Sequence, residues 1–186
     1  VVSESNYPYE GLSVAEVAQR QGKHPLDAML DVALTAVENS ALAEALRTSR
    51  TAYPIVNGLH IIGLAVLFGS ILSLDLKLLG LFPQIPVQPL ALYLPRVSAC
   101  GLGLAAATGL LLFSIQPRDY AENSAFLIKV GLVLIGTAHA AWVHSTQGWK
   151  RAARENGSVA KRLRVSAALS LSIWSAAILA GRFIAF

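Results

Sequence analysis

The chain has 186 residues, 54% of them hydrophobic and only 14% charged, with a mean hydropathy of +0.54. Soluble domains carry about 25% charge, and so short a chain cannot bury this much apolar surface in its own core. A water-soluble globule is therefore excluded, and the net charge of +4 marks no nucleic-acid partner, because the basic residues gather beside apolar runs as topogenic signals do.

In chain order, residues 1–37 read as an N-terminal extension. Ser13 and Glu16 stand three apart, the spacing of a capping box, and predict a short helix after Leu12. Gly22 to Pro25 reads as a turn, with His24 an ordinary turn residue and Pro25 in the first turn of a second helix ending near Val37. Asn39 or Ser40 caps a third helix on which Leu42 and Leu46 share a face. Residues 38–53 are expected to form an amphipathic, interfacial segment that feeds the first span.

Residues 54–186 predict a four-helix transmembrane domain, so the fold class is all-α. A span needs roughly 20 mainly apolar residues, and four stretches qualify: 54–81, 92–115, 125–146 and 163–186. Pro54 opens the first, Pro83, Pro86 and Pro89 fill the first loop, and Pro117 follows the second. Lys129, His139 and His144 interrupt the third. The last loop and its edge carry Lys150, Arg151, Arg154, Lys161, Arg162 and Arg164, whereas the second loop holds only Arg118 against Asp119 and Glu122; the first loop has no Lys or Arg. The positive-inside rule then puts loops one and three in the cytoplasm and both termini outside, in the periplasm if the membrane is a bacterial inner membrane. The chain starts at Val1 rather than Met, as a processed or partial chain would, and shows no cleavable signal peptide.

Ionisable groups inside spans are costly and each needs a reason. His60 lies about six residues into the first span, Lys129 about five into the third and Arg182 about four from the end of the fourth. At about 1.5 Å of rise per residue all three fall at similar depth near the outer face, with Asn57 beside them. These four are candidate ligand-binding residues for an anionic or electron-rich group: a haem propionate, a quinone carbonyl or a lipid phosphate. The structural reading is that the cations snorkel to headgroups while His60 bonds a neighbouring helix. Nearer the inner face, Asp75 and Arg96 are a candidate interhelical ion pair. His139 and His144 are five apart, about 140° around a helix, and cannot address one metal from one face. Spans two and four have no histidine, which disfavours bis-histidine haem within one chain and leaves His60 as a single candidate axial ligand of haem b.

Two resemblances add expectations. Ala45–Ser49, Tyr53–Pro54, Leu59–Gly63, Gly69–Ser70, Asp75–Gly80, Thr108–Gly109, Tyr120, Asn123, Phe126, Lys129, Trp149, Trp174 and Gly181–Arg182 carry the first. With them, residues from about 38 onward resemble a family of bacterial four-helix inner-membrane proteins described only as a domain of unknown function; this implies the fold and little of the activity. Residues 9–36, beginning Tyr9-Glu10-Gly11-Leu12, resemble an internal segment of N-acyl-D-amino-acid deacylases of the amidohydrolase superfamily. Those enzymes are metal-dependent barrels, usually of about 250 residues; the segment is too short for one and has none of the metal-ligand motifs, so no catalytic residue carries over. The chain contains no GxSxG, HExxH, Walker or CxxC motif, and its single cysteine, Cys100, allows no intrachain disulfide. The expected role is a non-catalytic accessory or anchor subunit of a larger membrane assembly. Its partners would be the lipid bilayer and other membrane subunits or further copies of itself. A haem- or quinone-binding redox module using His60 is the alternative, and a small-solute transporter the weakest reading.

Overall fold

The structure is a computed structural model that describes residues 9, 11–154 and 159–184. Among these residues it is all-α: α1 (Val14–Gln21), α2 (Pro25–Glu38), α3 (Ala41–Thr48), α4 (Ala52–Leu79), α5 (Val87–Phe113), α6 (Pro117–Glu122), α7 (Ser124–Ser145), α8 (Gln147–Ala152) and α9 (Lys161–Phe183). Helices α4, α5, α7 and α9 are long and apolar enough to span a membrane, and at most 22% of the most apolar stretch of any of them is covered by the rest of the chain. Such surfaces are incompatible with water, and the protein is a multi-pass membrane protein built on a four-helix bundle.

Two compact units divide the described residues. One takes in the residues up to Leu59 together with Ala107–Glu122. Its helices are held by polar end groups. Ser13 and Glu16 close a full capping box, the Glu16 carboxylate accepting from the Ser13 amide at 2.6 Å and from its hydroxyl at 2.7 Å. These two donors hold the Glu16 carboxyl below the usual carboxylate range. Gly22, at φ +63°, ends α1 in the left-handed region that favours glycine. His24 is more than a turn residue: its Nδ1 accepts from the Leu26 amide and caps α2. Ser40, rather than Asn39, caps α3, where Leu46 is buried and Leu42 exposed. Arg118 on α6 reaches α2, donating to the hydroxyl of Thr35 and to the carbonyl of Asp31.

The other unit comprises His60–Ala106 and the residues from Asn123 on. Here α4 and α5 are antiparallel: Gly63 lies against Ala105, Leu67 against Gly101, and the hydroxyls of Ser70 and Ser98 are 2.7 Å apart. α7 and α9 are antiparallel as well, with Gly136 beneath the Trp174 ring and Lys129 beside Gly181. A buried cluster of Leu74, Leu78, Val87, Ala91, Trp149, Leu163 and Ala167 joins α4, α5, α8 and α9. Trp149 is part of this core.

The second span starts earlier than its apolar run. α5 begins at Val87, so Pro89 lies in its first turn, where amide hydrogens have no intrahelical acceptor and proline removes nothing. Pro95 sits inside the helix. Short helices α6 and α8, absent from the sequence reading, turn the chain between spans.

Candidate functional site

Polar groups inside the bundle fall into two sets. The first grows from the closeness of α4 and α5. A Cβ on Gly101 would stand 2.5 Å from the Leu67 nitrogen, and one on Gly63 would stand 2.8 Å from the Ala105 nitrogen, so only glycine lets these backbones approach. His60, about one turn before Gly63, uses that approach: its imidazole donates to the Ala105 carbonyl across the interface. Lys129 projects from α7 with its stem along the backbone of Gly181, whose missing side chain leaves a channel; Cδ, Cε and Nζ stand 3.4–3.5 Å from where a Cβ would be. The lysine is half-buried and near enough to His60 for their charges to interact. Its ammonium makes no hydrogen bond or ion pair with a described residue. Arg182 follows Gly181 and is exposed. At the same end, Asn123 caps α7 and donates to the Ile184 carbonyl at 3.4 Å, tying α7 to α9.

Three of the four candidate ligand residues, His60, Lys129 and Arg182, therefore belong to one end of one unit. Asn57 counts with the other unit, three residues before His60 along α4.

The second set contains the expected Asp75–Arg96 pair, which does not form. Asp75 points inward and is buried, within hydrogen-bonding reach of the Ser170 hydroxyl on α9. Arg96 is exposed and donates to the Leu92 carbonyl of its own helix at 3.2 Å. The two residues lie at compatible depth and border the same cavity, but Asp75 is engaged by Ser170 on α9 and Arg96 by a carbonyl of its own helix.

Lys77, also buried, donates to the carbonyls of Phe82 at 2.9 Å and Pro83 at 3.4 Å. It thereby pins the turn in which Phe82 holds a left-handed φ of +56°. His139 Nε2 shares a 3.0 Å hydrogen bond with the Ser166 hydroxyl, while His144 stacks edge-on against Trp149 with centroids 4.4 Å apart. The two histidines thus have different partners. Among the described residues no group of three or more His, Cys, Asp or Glu could hold a metal ion.

Sequence reasoning missed the Asp75–Ser170 contact and the seating of Trp174 on Gly136. The serines spaced around Trp174 on α9 were the available signal.

Comparison with protein-family models, with curated proteins and with solved structures returned no match. Assignment of a role therefore rests on the chain's own chemistry.

Proposed function

We propose that this chain is a non-catalytic accessory or anchor subunit of a larger membrane assembly, and that it holds an anionic group at His60, Lys129 and Arg182. The observation that carries the reading is Lys129: a half-buried ammonium inside a span, with no partner among the described residues, beside a histidine and near an arginine. A desolvated cation is stabilised by a counter-charge with hydrogen bonds, and a phosphate or carboxylate reaching this end of the bundle supplies one. The largely uncovered flanks of the spans are available to lipid and to neighbouring subunits alike. Loop charge favours both termini outside, in the periplasm if the membrane is a bacterial inner membrane, which makes this end the outer one.

The test is native mass spectrometry of the protein extracted in mild detergent together with whatever co-purifies. Wild type is expected to retain an anionic lipid or cofactor and at least one further chain, or a second copy of itself. Lys129→Gln is expected to lose the anion without losing the helices. A lone monomer whose bound molecules do not differ between wild type and Lys129→Gln would remove the proposal.

One observation favours the redox alternative. An imidazole that donates one ring N–H to a backbone carbonyl, as His60 does to Ala105, is the usual support of a metal-bound histidine. In that reading His60 is the single axial ligand of a haem whose propionates meet Lys129 and Arg182. An absorbance band lost in His60→Ala supports it, and the absence of any band in the wild type rejects it.

A further inference from the structure

The inner half of the second unit contains a cavity of about 420 Å³ between α4, α5, α7 and α9, a volume typical of sites for small organic ligands. Its walls are mostly aliphatic, with Leu67, Leu74 and Leu102 among them, and Trp174 and His139 add aromatic surface. Asp75 lines the same space. That carboxyl is 6% exposed, and its Oδ2 has no hydrogen-bond partner among the described residues, while Ser170 addresses the group from α9. Arg96 lines the same space but forms no ion pair with Asp75, and its Nη1 donates to the Leu92 carbonyl of its own helix. His139 is engaged with Ser166 and His144 with Trp149.

Buried polar atoms are nearly always satisfied, and an unsatisfied carboxylate oxygen is among the costliest exceptions. What suits the space is an apolar body carrying one donor. The route is lateral: Ala99, Thr137 and Ala141 belong to the lining and are exposed on the flanks of their spans, so entry is from the lipid and not from water.

We infer that the cavity is a binding site for a lipophilic molecule bearing one hydrogen-bond-donating head group, such as an alkyl amine or an alkyl phenol, seated with that group on Asp75 Oδ2 and its body among Leu67, Leu102 and Trp174. The site shares no residue with the His60–Lys129–Arg182 cluster and stands or falls independently of the role proposed for it. A hydrogen bond to a charged group is worth enough to discriminate about ten- to hundredfold against an analogue without the donor.

The probes are 4-nonylphenol, nonylamine and the donor-free nonylbenzene, titrated into the detergent-solubilised full chain and read by quenching of tryptophan emission and by calorimetry. At least one donor probe is expected to bind saturably at one per chain, about tenfold or more tighter than nonylbenzene. Asp75→Asn, which keeps the shape and one acceptor, is expected to weaken the amine more than the phenol, since only the amine loses an ionic partner. Leu102→Trp fills the cavity from the opposite wall and is expected to abolish binding of all three. The wild-type comparison of donor with donor-free probe needs no variant and decides the matter even if a substitution unfolds the bundle. Equal affinity for nonylbenzene and both donors, no saturable binding at all, or binding untouched by Leu102→Trp in a folded protein would each overturn the inference. Preference for amine over phenol, or the reverse, identifies the donor.

Discussion

The helices before the first span and the pairs within the bundle are held together by different means. α1, α2 and α3 are each closed at the amino end by a side chain, from Ser13, His24 and Ser40. Lys23–Asp31 and Arg47–Glu38 bridges add to them. Among the spans α7 is likewise capped, by Asn123, but pairing turns on missing side chains: Gly63 and Gly101 bring α4 and α5 into backbone contact, and Gly136 makes room for Trp174 between α7 and α9. Solvent explains the difference. Facing water, a short helix is limited by its unsatisfied ends and gains from each cap. In lipid the backbone satisfies itself within the helix and burial of apolar groups gives no drive for association, so close packing decides which helices pair.

Substitutions that test this contrast range from large to small. Gly101→Ala places a Cβ 2.5 Å from backbone that cannot move aside and is expected to destabilise the detergent-solubilised bundle by about 3 kcal/mol, read from its unfolding midpoint. Gly136→Ala meets the edge of the Trp174 ring at 2.9 Å instead; a side chain can yield, and a loss of about 1–2 kcal/mol is expected. Ser13→Ala opens the α1 capping box and is expected to cost about 1 kcal/mol locally, seen as faster amide exchange in α1 with the spans unchanged. Gly103→Ala has nothing within 4 Å of its new methyl and is expected to change stability by less than about 0.5 kcal/mol. A substantial loss there would show that α5 makes a contact the glycine geometry does not account for.

Glu16 gives the smallest effect and the only one tied to pH. Its folded-state carboxyl titrates below its unfolded value of 4.5 because Ser13 donates to the ionised form. The stabilisation is therefore complete above the unfolded value and is lost as pH falls through the lower folded one. Amide exchange in α1 is expected to accelerate on acidification through that range, and Glu16→Gln to flatten the response.

Much of the architecture was legible residue by residue. The Ser13–Glu16 spacing located the start of α1, Pro25 that of α2, and four apolar runs located the spans to within a few residues. The largest error, the start of α5, came from reading Pro89 as a loop residue where the first helical turn accepts proline. Within the candidate site, His60, Lys129 and Arg182 were singled out from depth alone, because rise per residue is constant along a helix. Asp75 and Arg96 also agreed in depth, yet they form no ion pair and take other partners.

Sequence by itself determined where the chain leaves water, since a backbone in hydrocarbon must bond to itself and length and apolarity suffice to say where that happens. Which side chains face one another was decided only by tertiary structure. Each residue turns a helix by about 100°, so the packing of α4 against its neighbours settles whether Asp75 meets Arg96 or Ser170. It equally settles whether His60 meets the Ala105 carbonyl. A pattern of residue types along one helix contains no information about the rotation of the next.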